Sequence, residues 1–143
     1  MIHYSLNLQN GMLVPQKEDT STSILTVMNE DEFREGSIAL PYRKELLHSL
    51  GSIRYCKSEL SKEHIIGTFR LPQKSLQRSA QLSFGFVMNN KRLILIEDSG
   101  EVKRLIEKHI DLYFGSVSPD QILLCLMEEM IAEDVLYLSH MEN

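Results

Sequence analysis

The chain has 143 residues, 43% of them hydrophobic, a length that suits one domain able to bury about two-thirds of its unfolded surface. Twenty acidic against 15 basic side chains leave a formal net charge of −5, and the basic residues are scattered, which argues against a footprint for nucleic acid or an anionic membrane surface. Cys56 and Cys125 lie far apart with no Cys-x-x-Cys pair, which suits a reducing, cytosolic setting better than a disulfide framework.

The opening "MIHYSLNLQNGMLVPQ" lacks the basic-then-apolar order of a signal peptide. No run of about 18 apolar residues is present to span a bilayer, so a membrane enters only through a segment outside these residues. "IHYSLNLQNGMLVP" alternates around Asn10-Gly11, a pair suited to the positive φ angles of a tight turn, and predicts a β-hairpin. "KEDTSTS" is polar turn material and "ILTVMN" a short strand rich in β-branched residues; the acidic "EDEFREG" that follows reads as a loop.

After Pro41, "YRKELLHSLG" places Leu46, Leu47 and Leu50 on one face and stops at Gly51, which predicts a short helix. "IRYCKSEL" and "HIIGTFRL" flank Ser61 to Glu63, and "AQLSFGFVM" and "RLILIE" flank "NNK"; each pair predicts an antiparallel hairpin. The run "LILI" reads as a strand buried on both faces, hence a sheet covered on each side. "SGEVKRLIEKHIDLY" brings Val102, Leu105, Ile106, Ile110 and Tyr113 onto one side of a helix that Gly115 ends. The order predicts a mixed, largely antiparallel sheet with helices on both faces, an αβα sandwich in the α/β (α+β) class, ending in a long C-terminal helix.

That last helix starts with clear signals: Ser118 as N-cap, Pro119 at the first helical position and Asp120 at the positive end of the dipole. From there to Asn143 no Gly or Pro stop appears, so the helix is expected to be cut short at the start of a longer one, with residues 1–143 forming one domain. Its pattern is overloaded. Leu124, Met127, Ile131, Leu138 and Met141 follow three- and four-residue steps, while Leu123, Leu126, Met130 and Tyr137 widen the stripe. Two readings stay open: both sides pack into this domain's own core, or one side meets another subunit along a coiled-coil-like seam.

Chemistry is sparse. His3, His48, His64, His109 and His140 stand at no metal-ligand spacing, neither His-x-x-x-His nor Gly-x-Ser-x-Gly occurs, and no spaced glycines cradle a phosphate. Cys125, inside an apolar helix, reads as an inert thiol. No catalytic residue or nucleotide cofactor is indicated, and the chain is not read as an enzyme. The "NEDEFRE" segment and Glu128, Glu129, Glu133 and Asp134 offer oxygen ligands for a hard cation, although isolated carboxylates bind magnesium weakly because it keeps much of its water shell.

From Ile65 to Asn143 the chain resembles the CorA-type divalent-cation transporters, including the related ZntB proteins. The likeness rests on the order "IIGTFRLP", "LSFGFVMNNKRLILIED", "GEVKRLIEKHIDLY" and "SPDQILLCLMEEMIAEDVLYLSHMEN". It implies the N-terminal cytoplasmic domain of a transporter for magnesium or another divalent cation, with the final helix opening a stalk that leads to the membrane. It further implies a homo-oligomer, five copies in the full-length family, with this stretch alone a monomer or dimer, and a cation that regulates gating from between domains. The family's Gly-Met-Asn pore signature and membrane helices are not in this chain, and "HSLGSIRYCKSEL" replaces a stretch that carries a regulatory carboxylate. Glu129, Glu133 and Asp134 match only the general acidity of the family's last helix and are the candidate metal ligands. The alternative reading is a stand-alone α/β interaction module that oligomerises through its C-terminal helix.

Overall fold

A computed structural model describes residues 1–7, 12–36, 57–60, 65–71, 82–109 and 118–142. Among them are seven strands, β1 (Ile2–Leu6), β2 (Leu13–Gln16), β3 (Ser23–Met28), β4 (Lys57–Leu60), β5 (Ile65–Leu71), β6 (Leu82–Met88) and β7 (Leu93–Ile96), and three helices, α1 (Glu30–Glu35), α2 (Glu101–His109) and α3 (Pro119–Glu142). The strands form one sheet in the order β2-β1-β3-β7-β6-β5-β4. β3 and β7 run parallel, and every other neighbouring pair is antiparallel. The mixed, largely antiparallel sheet expected from the sequence is the one found.

All three predicted hairpins are present. β1 and β2 close at Leu6 opposite Leu13, where the Asn7 N–H donates to the Met12 carbonyl at 2.8 Å; Asn10-Gly11 lies outside the described residues. The β6–β7 turn closes at Met88 opposite Leu93 because Asn89 organises it: its side-chain oxygen accepts from the backbone N–H groups of Lys91 and Arg92, both at 2.8 Å. β4 and β5 pair from Lys57 opposite Thr68 to Leu60 opposite Ile65. The predicted helix after Pro41 falls outside the described residues, as do Ile110 and Tyr113.

Strand alternation divides the interior into two layers. On one face Tyr4, Leu13, Leu25, Val27, Phe84, Phe86, Leu93 and Leu95 meet Val102, Leu105 and Ile106 of α2 and Ile122, Leu123, Leu126 and Met130 of α3. On the other, Met28, Ile66, Val87, Ile94 and Ile96 meet Phe33 of α1. "LILI" is thus buried on both faces, with helices on each side of the sheet.

The acidic segment read as a loop is instead α1. Asn29 and Glu32 form a capping box: the Asn29 side chain accepts from the Glu32 N–H at 2.7 Å, and the Glu32 carboxylate accepts from the Asn29 N–H at 3.0 Å. Asp98, just beyond β7, accepts from the Glu30 N–H at 2.8 Å, and Gly36 ends the helix with φ 73°. A six-residue helix does not stand by itself in water; burial of Phe33, 2% exposed, holds this one against the sheet. Asn29→Ala is expected to cost about 1 kcal/mol, within a range of about 0.5–2, read as a lower urea midpoint at unchanged slope.

α2 begins later than the predicted Ser99 because residues 97–100 form its entrance. Glu97, 7% exposed, accepts from the Ser99 hydroxyl at 2.5 Å and the Gly100 N–H at 3.0 Å, and Ser99 in turn accepts from the Glu101 N–H at 3.2 Å. Gly100 sits at φ 80°, where a side chain is strained.

Candidate functional site

α3 starts where the sequence signals place it. The Ile122 N–H donates to the Ser118 carbonyl at 3.1 Å and the Ser118 N–H to the Gln121 side chain at 3.2 Å. The Ser118 hydroxyl donates to Asp120 at 2.5 Å, and this bond holds the Asp120 carboxyl below the usual carboxylate range.

The helix then carries two apolar sides. Ile122, Leu123, Leu126 and Met130 point into the core, and Met127 and Cys125 are half-buried beside them. At about 100° per residue, Leu124 and Ile131 lie within about 20° of each other and roughly 100–160° round the helix from Leu126 and Met130. They are 57% and 50% exposed. Among the described residues of the overloaded pattern, Leu123, Leu126 and Met130 therefore belong to this domain's core with Met127 packed against it, and Leu124 and Ile131 face outward; seven residues separate the two outward positions, one heptad. Leu138 continues that spacing, and its side chain lies outside the described residues.

All three candidate metal ligands sit on α3. Glu129 is half-buried; Glu133 stands one turn further on, with Asp134 beside it, and the side chains of both lie outside the described residues. Among the described residues no three His, Cys, Asp or Glu side chains gather as a metal site. The neighbouring acids act on Cys125 instead: burial pushes its thiol up, and Glu128 and Glu129 add to the effect. It stays protonated at neutral pH and is a poor nucleophile, in keeping with the inert role read from its setting.

Sequence reasoning missed a polar cluster on the opposite face of the sheet. His3 of β1 and Thr26 of β3 are directly paired across the strands, and both are buried, at 4% and 0% exposure. Arg92, immediately before β7, reaches across β3 to them and to Asp19 in the β2–β3 connection. Its guanidinium donates to Asp19 Oδ1 at 2.8 Å and Oδ2 at 3.0 Å. Its Nη2 and Nε donate to Thr26 Oγ1 at 2.5 and 3.2 Å. The only hint in the sequence was the alternation that sets His3 and Ser5 on one face of β1, with nothing to say what lay opposite.

Burial lowers the His3 pKa below 6.5; Asp19 works against the shift and Arg92 with it. Burial opposes ionisation of Asp19, but the hydrogen bond and charge of Arg92 outweigh it and hold the carboxyl below its usual range. Burial likewise opposes ionisation of Glu32, which the Asn29 N–H and the N-terminal amine at 2.6 Å keep below its usual range. The signs agree. A histidine with a depressed folded pKa contributes stability that is full above 6.5 and lost as pH falls through its folded value, and each depressed carboxylate loses its contribution at lower pH still. The urea midpoint is expected to fall steadily as pH drops below 6.5 and to keep falling through the carboxylate range; a midpoint flat across that window would contradict the assignments.

No helix among the described residues is long and apolar enough to cross a membrane. No family model matches the chain, and no curated protein matches it in sequence. Solved structures do. The full-length CmaX protein superposes with a TM-score of 0.69 at 12% identity, over 98% of this chain and 47% of CmaX. The ZntB cytoplasmic domain from Vibrio parahaemolyticus RIMD 2210633 superposes with a TM-score of 0.63 at 15% identity, over 99% of this chain and 62% of that one. The chain thus spans less than two-thirds of either, and it has the fold of a ZntB-type cytoplasmic domain, as the resemblance in its C-terminal half led one to expect.

Proposed function

We propose that the chain is the cytoplasmic regulatory domain of a CorA-like transporter for magnesium or another divalent cation, and that it contributes to subunit assembly and gating without catalysing a reaction. The observation that carries this reading is the outward apolar side of α3, Leu124 and Ile131, on a domain whose fold matches the ZntB cytoplasmic domain over 99% of its length. In this reading copies of the chain surround a common axis with their α3 helices inward, and α3 leads toward a membrane segment outside these residues.

Glu129, Glu133 and Asp134 are the candidate carboxylates along α3 for the transported or regulatory ion. A few carboxylates on one helix hold magnesium weakly, so an ion would be retained only where a second copy completes its shell. Such an ion shifts gating only by the difference in its affinity for the two arrangements of the subunits.

The test is the coding sequence after Asn143. Two apolar segments of about 18 or more residues, joined by a short loop carrying Gly-Met-Asn, are expected. A stop codon soon after Asn143 would overturn the transporter reading and leave the interaction module that assembles through α3.

A further inference from the structure

The cluster around His3 has one carboxylate within reach of two bases. Arg92 occupies Thr26 Oγ1 with two donors, so the Thr26 hydroxyl proton is directed to its remaining neighbour, His3 Nδ1, at 2.8 Å. Arg92 Nη2, which can only donate, lies 3.2 Å from the same nitrogen. Nδ1 is therefore an acceptor, and the neutral ring carries its proton on Nε2. A proton added to Nδ1 turns that acceptor into a donor facing a donor and a hydroxyl already in use. Among the described residues, the carboxylate oxygen placed to receive it is Asp19 Oδ1, 3.8 Å away and now held by Arg92.

We propose that His3, Asp19 and Arg92 form a proton-driven partner exchange: with His3 neutral, Asp19 pairs with Arg92, and on protonation at Nδ1 Asp19 passes to His3 and the Arg92 guanidinium is released to solvent. The exposures fit. The His3 side chain is 5% exposed within the sheet, whereas Asp19, 38% exposed, stands in the β2–β3 connection and Arg92, 20% exposed, immediately before β7. Of the other groups facing His3, Gln16 across from it on β2 and Thr26 on β3 are uncharged, and the Met1 amine just before β1 and Glu32 of α1, whose charges act on His3 in opposite directions, are paired with each other at 2.6 Å. The exchange takes up one proton and moves the β2–β3 connection toward β1. It turns a neutralised arginine into an uncompensated positive charge on this side of the sheet.

The test is a pH titration from about 7.5 to about 4.5 of protein labelled with nitrogen-15, followed at the His3 ring, the Arg92 Nε–H and the Asp19 amide. Expected are a His3 ring carrying its proton on Nε2 at the start, a midpoint below 6.5, and Arg92 and Asp19 signals that move with that midpoint. Asp19→Asn is expected to lower the His3 midpoint and to abolish the linked Arg92 change; Arg92→Met is expected to raise it. Arg92 and Asp19 signals that stay flat through the His3 transition would overturn the proposal. A starting ring with its proton on Nδ1, or collapse of the core methyl signals of Leu95 and Ile106 at the same midpoint, would do so too.

Discussion

Phe84→Ala is expected to destabilise the domain by about 3–5 kcal/mol, seen as a fall in the urea midpoint at unchanged slope and a drop in Tm of roughly 10–15 °C. Phe84 is 0% exposed on β6, with the rings of Phe69 and Phe86 at 5.4 and 6.4 Å, and it belongs to the layer that α2 and α3 cover. Truncation loses the transfer free energy of the ring and leaves a cavity bounded by two other aromatics. Because domains of this size are stable by only about 5–15 kcal/mol, one side chain accounts for roughly a fifth or more of that margin. Val14→Ala, on edge strand β2 at 39% exposure, is the control and is expected to change stability by less than about 0.5 kcal/mol. Equal effects at the two sites would contradict the burial pattern.

On the proposed reading of α3, Leu124→Asp combined with Ile131→Asp is expected to leave the fold intact and to abolish assembly through that helix. Both positions are at least half exposed, so each charge stays in water and the stability read from urea unfolding should change by no more than about 0.5 kcal/mol per site. In an α3 seam each side chain would contribute about 1.5–3 kcal/mol of burial per copy, and a buried unpaired carboxylate reverses that sign. Light scattering of the purified assembly should fall to the subunit mass. Leu126→Asp, on the core side at 0% exposure, is expected to unfold the domain instead. An assembly unchanged by the double variant would show that the outward side of α3 is not its seam.

Much of the fold was legible because its signals are local. The Asn89 turn, the alternation in β1 and β6 and the unbroken "LILI" each report a strand and its burial within about ten residues. α1 was not legible in that way. Its capping letters, Asn29, Glu32 and Gly36, stand in the sequence, but a segment with one apolar residue among six gives no helical period, and Asp98 caps it from 68 residues away. The polar cluster failed for the same reason on a larger scale: Arg92 meets Asp19 over 73 positions and His3 over 89. Such contacts exist only once β3 lies between β1 and β7, and no pattern in β1 alone announces them. On α3 the sequence showed too many apolar residues for one contact, and the structure divides them between an inner and an outer side.

The parallel pairing of β3 with β7 also governs the order in which the chain can be completed. During synthesis β1, β2 and β3 leave the ribosome first and can pair as an antiparallel sheet, yet the free edge of β3 has no partner until Leu93–Ile96 emerges. Through that interval Leu25, Thr26, Val27 and Met28 present an unpaired backbone row in a β-prone sequence, a template for strands of neighbouring nascent chains. Closing the sheet requires the chain between β3 and β7 to be drawn in before this pairing forms, a contact of high sequence separation that is expected to form late in folding. The seam at the centre of the finished sheet is therefore an open edge while the protein is being made.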